Sequence, residues 1–242
     1  MENSNELLNL VIKTHGGLER WKQFKQAKLH ISVGGYLWTV KGQEGVTNDI
    51  NLIVNLREQR TTQEKMFPEG LRSSFEPGRV ALRTQDGVLV EELLNPLETF
   101  KGLAWETHWS RLQLIYFSSY ALYNYFTLPF NLTLPGVTAK EIEPWAEAGE
   151  MWRRLEVTYP HSFVTHNKRQ VFYFDENGLL KRHDFWAETL GRQGAAHYFF
   201  DYKEFDGIKM STIQNIYQLL DNNSYVPEPL LVSLKTFSVK FE

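Results

Sequence analysis

Two histidines and one carboxylate lie close together in a pair of predicted neighbouring strands, and they are the first candidates for catalysis. His183 and Asp184 are adjacent in one alternating run, and His197 lies in the next run. A histidine beside a carboxylate can act as a general base because its unperturbed pKa, about 6.5, lies near neutrality. The alternative is a set of hydrogen-bonded polar residues on a sheet surface. We therefore expect a catalytic role only if the protein is an enzyme.

A second set of candidates is mainly aromatic and favours the binding of a ligand. From about Leu97 to Phe126, aromatic residues recur at intervals of three and four, which predicts one face of a helix. Rings could hold the apolar part of an amphiphile, with a histidine and an arginine at its carboxylate or phosphate. The alternative is an aromatic stripe that packs on a sheet. With aromatic residues of the strands added, the candidates are Trp105, His108, Trp109, Arg111, Tyr116, Tyr120, Phe172, Tyr198 and Phe200.

The sequence offers no motif for a metal or a cofactor. His161 and His166 lie five residues apart in one predicted loop, without a further ligand at metal-binding spacing. Nucleotide-binding glycine motifs and the serine-hydrolase motif are not found. The chain has no cysteine, which excludes disulfides and thiol catalysis. We expect neither a metal nor a cofactor.

The three catalytic candidates belong to a stretch of four alternating runs between Gln170 and Tyr217. Asn177-Gly178 and Asp206-Gly207 are two of the turn signals between the runs, and such signals are typical of β-hairpins. The stretch predicts a four-stranded antiparallel meander. The runs are Val171–Phe174, Leu179–Ala187, Ala195–Phe205 and Ile208–Tyr217. The alternation does not show which face of these strands lines a cavity.

The rest of the chain predicts more strands and few helices. Residues 4–14 have the apolar spacing of an amphipathic helix, and strands begin at about Leu29. We expect a strand at Tyr36–Val40 and a helical turn or loop at Glu141–Glu150. Frequent strands without long parallel crossovers predict a mainly β fold with an antiparallel sheet. No linker interrupts the sequence, so residues 1–242 are expected to form one domain.

Charge and hydropathy limit the partners. The net charge of −3 provides no electrostatic footprint for nucleic acid. Leu112 to Ala139 carries no charge, but its polar residues and two prolines argue against a transmembrane span. Contact with a membrane surface is favoured over a span, but a helix buried against a sheet is the main prediction. The N-terminus lacks the apolar stretch of a signal peptide, so we expect a cytoplasmic protein, or a periplasmic one if a leader was removed.

Three stretches resemble the LolA/LolB-like proteins, which carry outer-membrane lipoproteins, and their uncharacterised bacterial relatives. HGGLERWKQFKQAK resembles the helix-then-strand opening of that superfamily. FDENGLLKRHDF resembles its hairpin with an acidic residue, Gly and Leu followed by Arg, and AAHYFFDYKEFDGIKM resembles its hairpin around Asp-Gly.

The resemblance implies a strongly curved antiparallel sheet that forms an unclosed barrel. An N-terminal helix and a central aromatic helix would cover the concave face and leave an apolar cavity, which holds acyl chains in the carriers. The first hypothesis is therefore a protein that binds a hydrophobic or amphiphilic small molecule. The second is a cofactor-independent cyclase, isomerase or lyase acting on an apolar natural product in the same cavity. A scaffold that binds protein partners through a sheet edge is the third.

Overall fold

One antiparallel sheet forms the body of the computed structural model, which describes residues 2–242 and the side chains from Glu6 onward. The strands of the described range are β1 (Gln26–Gly34), β2 (Ile50–Asn55), β3 (Thr61–Glu64), β4 (Arg72–Glu76), β5 (Arg79–Arg83), β6 (Leu89–Leu94), β7 (Thr138–Glu147), β8 (Glu150–Thr158), β9 (Arg169–Phe174), β10 (Leu180–Ala187), β11 (Gln193–Phe205), β12 (Ile208–Leu219), β13 (Tyr225–Val226) and β14 (Val232–Phe241).

The strand order shows that the sheet is open. Strands pair in the order β6-β5-β4-β3-β2-β1-β14-β12-β11-β10-β9-β8-β7, and β13 adds to β12. The first and last strands of this order do not pair with each other, so β6 and β7 are the two edges. The predicted fold class, a mainly β half-barrel that does not close, is confirmed.

The predicted meander is confirmed as β9 to β12, which pair consecutively and antiparallel. Gly178 and Gly207 adopt positive φ angles of 80° and 78° at two of its turns, a region that glycine enters without a steric penalty. The register places His183 of β10 directly opposite His197 of β11. Because directly opposed residues point to the same face, the two histidines share one face of the sheet.

Four α-helices accompany the strands in the described range: α1 (Glu2–Thr14), α2 (Leu18–Trp21), α3 (Tyr36–Val40) and α4 (Arg111–Thr127). The predicted N-terminal helix is confirmed as α1, which contributes Leu7, Val11 and Ile12 to the main apolar core. Thr14 Oγ1, at the end of α1, donates a hydrogen bond to the carbonyl oxygen of Asn177, so α1 is tied to the β9–β10 turn.

The central helix α4 is almost completely buried. Every residue from Leu114 to Thr127 is inaccessible or nearly so, as expected for a helix that carries no charge after Arg111. It begins with a capping box: Ser110 Oγ accepts from the Gln113 amide at 3.2 Å, and Gln113 Oε1 accepts from the Ser110 amide at 2.9 Å. The chain between β6 and β7 contains α4, so it passes from one edge of the open sheet to the other. We call the face of the sheet towards α4 the inner face.

Two predictions of local structure were wrong, and both errors have physical causes. The predicted strand at Tyr36–Val40 is the helix α3, because Gly35 (φ 116°) redirects the chain so that the Tyr36 and Leu37 amides bind the carbonyls of Leu230 and Leu231. The predicted loop at Glu141–Glu150 belongs to the β7–β8 hairpin. Strand β7 is an edge strand with mostly polar exposed residues, so its sequence lacks the apolar alternation of a covered strand.

The predicted start of the central helix was also wrong. Residues 97–110 form a 3-10 helix at Pro96–Phe100 and a loop, and α4 begins only at Arg111. Trp105, His108 and Trp109 therefore lie before the helix. Trp109 nevertheless packs at 4.9 Å between ring centroids against Phe117 of α4. The aromatic residues before Arg111 lie in a loop that folds back on the helix. The spacing of apolar residues alone does not distinguish such a loop from a longer helix.

Gly35→Ala should lower the free energy of unfolding by more than about 1 kcal/mol, because alanine is strained at positive φ and its Cβ would lie 2.5 Å from the Leu231 carbonyl oxygen. Gly87→Ala is the matched control, since Gly87 has φ 92° but no atom of the described residues lies within 4 Å of the place that its Cβ would take. Urea denaturation of both variants separates the backbone strain from the steric contact. Equal losses in the two variants would contradict the close approach of α3 to the segment before β14.

Candidate functional site

An apolar cavity lies between α4 and the inner face of the sheet. Helix α4 contributes Phe117, Ala121, Leu122 and Tyr125 to it, and these positions share one helical face. The sheet side includes small residues at three positions, which leave space that larger side chains would fill. The sheet residues that line it include Phe185, Ala187, Gly194, Ala195, Ile216 and Leu234.

The cavity is small. Its volume is about 50 Å³, within about 620 Å³ of space that is free of protein atoms and includes space open to solvent. Ser118 lines the cavity, but its hydroxyl is within hydrogen-bond distance of Gln63 and donates to the carbonyl of Ile115. Among the described residues, no charged side chain lines the cavity. Its shape and polarity suit a slender apolar group.

The cavity opens outwards next to Trp105. Trp105, Gln193, Gly194 and Leu231 line both the cavity and a wider outer cleft, with about 290 Å³ open to water-sized spheres. The outer cleft is more polar and includes the amide side chains of Gln193 and Gln218. We call the four shared residues the mouth. Lys41 supports it, because its ammonium group donates to the Trp105 carbonyl oxygen and lies 4.8 Å from the centroid of the Trp105 ring.

A belt of buried polar side chains crosses the inner face beyond the cavity. His183 Nε2 lies 2.6 Å from Gln170 Oε1, and His197 Nε2 lies 2.9 Å from Gln214 Oε1. Because an amide oxygen only accepts, both histidines carry their proton on Nε2. Their Nδ1 atoms find no hydrogen-bond partner within the part of the chain that the structure describes.

His166 completes the belt and joins it to α4. Its Nδ1 lies 3.1 Å from the hydroxyl of Tyr120, and its Nε2 lies 2.8 Å from the hydroxyl of Tyr125. The Tyr120 hydroxyl is also 3.1 Å from Thr189 Oγ1. The His166 ring stacks on Phe185 with 3.9 Å between ring centroids. We use the term histidine belt for His166, His183 and His197.

Burial keeps the histidine belt neutral. Each of the three rings is at most 1% exposed. Desolvation lowers the pKa of His197 to about 3 and lowers the pKa values of His166 and His183 well below 6.5, with a smaller contribution from the neighbouring imidazoles. The rings are therefore neutral hydrogen-bonding groups near neutral pH.

The carboxylate next to His183 lies on the opposite face. Asp184 accepts two hydrogen bonds from Arg182, at 2.7 and 2.9 Å, and one from the Tyr173 hydroxyl at 2.7 Å. Arg182 also donates to Glu147 Oε2 at 2.8 Å and to the Tyr198 hydroxyl at 3.0 Å. Adjacent strand residues point to opposite faces, so the histidine–carboxylate pair that the sequence allowed is not formed.

We call Arg182, Asp184, Glu147, Tyr173 and Tyr198 the outer cluster, and its hydrogen bonds hold neighbouring strands together. Arg182 is only 1% exposed and also donates to the Asn223 carbonyl at 2.8 Å, so it joins β10 to the β7–β8 hairpin and to the loop after β12. Burial by itself would lower the Arg182 pKa, but the hydrogen bonds and the charge of Asp184 raise it above its ordinary value. The arginine is therefore charged and fully engaged with its own protein.

The structure separates the aromatic candidates into different environments. Trp105 lines the cavity mouth, while Trp109, Tyr116 and Tyr120 are buried in the packing around α4. Phe172 lies on the inner face, where it stacks on His183 at 4.2 Å between centroids.

The remaining candidates lie away from the cavity. Arg111 binds Glu69 at 3.1 Å and Glu91 at 3.3 Å, and His108 is exposed beside Gly42. Tyr198 belongs to the outer cluster, and Phe200, 45% exposed, follows it on the same face.

Sequence reasoning missed the residues that shape the cavity. Tyr125, Ala121, Ala187 and Ala195 are ordinary core residues by pattern, and only their meeting across α4 and the sheet creates space. His166 was considered only as a metal ligand. From Glu6 onward, no group of three His, Cys, Asp or Glu side chains is arranged to hold a metal ion. None of the helices in this range combines the length and the apolar character needed to cross a membrane.

The comparison with solved structures found two full-length similarities of fold. A LolA superfamily protein from Nitrosomonas europaea has a TM-score of 0.55 and 9% identity, with 99% of this chain and 93% of that chain covered. A DUF1329 family protein from Desulfovibrio piger has a TM-score of 0.53 and 9% identity, with the same coverage. No protein-family model matches the sequence, and the comparison with curated proteins found no significant match.

These similarities confirm the resemblance to LolA-like proteins at the level of the fold. Identities near 9% carry no residue roles from one protein to the other. The predicted cytoplasmic location gains no support from them.

The stability of the protein should depend on pH through the histidine belt. Below pH 6.5 the unfolded chain binds protons that the buried rings exclude, so the free energy of unfolding should fall as the pH falls, down to about pH 3 for His197. Each excluded proton adds a slope of about 1.4 kcal/mol per pH unit. Urea denaturation between pH 7.5 and 5 should show a smaller slope in His197→Asn than in the wild type. Identical slopes would show that His197 is not held neutral.

Arg182→Leu should lower the free energy of unfolding by about 3–5 kcal/mol, because it leaves Asp184 buried without its partner. The double variant Arg182→Leu, Asp184→Leu should be more stable than the single variant, since it removes the orphaned charge as well. Chemical denaturation of both variants measures the difference. If the double variant is the less stable of the two, the pair does not act as a buried ionic clamp.

Proposed function

We propose that this protein binds a hydrophobic or amphiphilic small molecule in the cavity between α4 and the inner face of the sheet. The observation that carries the proposal is a small apolar space that meets a more polar outer cleft at the mouth. Each methylene group moved from water into such a space contributes about 0.8 kcal/mol. The resemblance to lipoprotein carriers supports the same class of ligand.

The geometry of the mouth indicates how an amphiphile would be oriented. Its apolar part would pass Trp105 and lie along Phe117, Ala121 and Leu122 of α4. Its polar part would remain in the outer cleft, where Gln193 and Gln218 offer neutral hydrogen-bonding groups. A charged group drawn into the cavity would lose its hydration without finding a partner, so this orientation is the favourable one.

A cofactor-independent enzyme is the second function, and it has less support. Of the three predicted catalytic residues, Asp184 is bound to Arg182 on the outer face. His183 and His197 lie beyond the cavity, with their Nε2 protons bound to glutamines. General acid–base chemistry requires a group within hydrogen-bond reach of the substrate. The cavity itself offers apolar contacts instead.

Two adjacent alanines of β11 provide a matched test. Ala195 lines the cavity, while Ala196 is buried against the outer cluster. Ala195→Leu should fill the cavity and abolish binding, whereas Ala196→Leu should lower stability by about 1–3 kcal/mol through overpacking but leave binding intact. Native mass spectrometry of the purified proteins, and calorimetric titration with laurate, measure the two outcomes.

The wild type and Ala196→Leu should carry a bound hydrophobic molecule or take up laurate, and Ala195→Leu should do neither. A wild-type protein that purifies empty and gives no saturable binding of laurate would refute the proposed function. Equal binding by the two leucine variants would place the ligand elsewhere on the protein.

A further inference from the structure

Tyr125 stands between two separate spaces in the interior. It lines the cavity described above, and it also lines a second, smaller cavity of about 20 Å³, within about 280 Å³ that is free of protein atoms and includes space open to solvent. Its lining is mixed: Leu128, Leu180, Phe199 and Met210 are apolar, while His15, Lys209, Ser211 and Gln214 are polar or charged. One side chain thus forms a wall of both spaces.

The two cavities lie end to end along the same elements. On α4, Phe117, Ala121 and Tyr125 line the first cavity, and Leu128 continues the same helical face into the second. On β11, Ala195 lines the first and Phe199 the second. His197 lies between these two strand residues on the same face, so the histidine belt marks the boundary between the cavities.

Several contacts hold Tyr125 in place at this boundary. Its hydroxyl is 2.8 Å from His166 Nε2, and its ring meets the ring of His197 edge to face with 4.3 Å between centroids. The side chain is almost completely buried, and burial raises the pKa of its hydroxyl. Turning the ring aside would leave both the hydroxyl and His166 Nε2 without this hydrogen bond inside the protein, which is unfavourable. Tyr125 is therefore a fixed wall.

We propose that Tyr125 sets the length of the hydrocarbon chain that the cavity accepts. The proposal rests on the proposed binding function and makes its ligand class specific: a molecule with one unbranched chain that enters at the mouth and ends against the Tyr125 ring. The small volume and apolar lining of the first cavity favour a single unbranched chain over a fused ring system. From Phe117 to Tyr125 the helix rises about 12 Å, which gives the scale of the chain that fits.

A series of saturated fatty acids from octanoate to stearate is the probe. In the wild type, affinity should rise with chain length to an optimum and then level off or fall, because further methylene groups find no apolar surface beyond Tyr125. Tyr125→Ala joins the two cavities, so its optimum should move to longer chains and its affinity for the longest one that binds should rise about tenfold or more. Calorimetric titration below the critical micelle concentration measures both quantities.

Three further variants separate length selection from a structural role. Tyr125→Phe keeps the ring and should keep the wild-type optimum, while Tyr125→Trp enlarges the wall and should move the optimum to shorter chains. Tyr123→Ala is the matched control on the same helix, because Tyr123 is buried against Phe163 and lines neither cavity. It should destabilise the protein without moving the optimum. If Tyr125→Ala does not fold, Tyr125→Leu and Tyr125→Trp still test opposite directions.

The results distinguish the two proposals. A wild type that binds no fatty acid of the series refutes the proposed function, and the length rule with it. If the wild type binds fatty acids and Tyr125→Leu, Tyr125→Ala and Tyr125→Trp all have the wild-type optimum of chain length, the length rule alone is refuted. An optimum that moves equally in Tyr123→Ala would also refute it, because the change would then follow general loosening of α4.

Discussion

Burial of α4 against the inner face is the interaction on which the rest of the structure depends. An antiparallel sheet that closes into a barrel covers its own interior, but this sheet has free edges at β6 and β7 and leaves an apolar face to be covered. The chain between those two edges supplies the cover, and its helix carries no charge after Arg111, as suits a helix that meets protein on all sides. The capping box at Ser110 fixes where this cover begins.

Helix α4 packs tightly on one part of the inner face and leaves space at another, because the side chains differ in size. Near its start, α4 packs through large rings, with Tyr116 at 5.8 Å from Phe100 between ring centroids. Further along, Ala121 faces a part of the sheet where Ala187 and Ala195 are also small. Large residues on either side would fill this region as they fill the rest. A space between two otherwise well-packed surfaces is a specific feature, since protein interiors normally leave few voids larger than a water molecule.

The sequence predicted the meander well and the cavity poorly, for physical reasons. Turn chemistry at Asn177-Gly178 and Asp206-Gly207 is local, so it can be read without knowing the tertiary contacts. The face of β10 and β11 that points inward is a tertiary property. Both faces of these strands are rich in aromatic and polar residues, because the outer face carries the Arg182 cluster, and alternation alone gave no preference. Small residues such as Ala195 look like any other core position until the opposite wall is known.

The separation of His183 from Asp184 bears on the choice between binding and catalysis. A general base gains its strength from a partner that stabilises its protonated form, and the strand geometry gives that partner to Arg182 instead. What remains on the inner face is a row of neutral imidazoles with amide and phenol partners. Of these rings, His166 and His197 contact Tyr125, and moving the Tyr125 ring would lose the His166 hydrogen bond inside an apolar region. The polar belt thus helps to fix Tyr125 at the end of the apolar space in which we propose that the ligand lies.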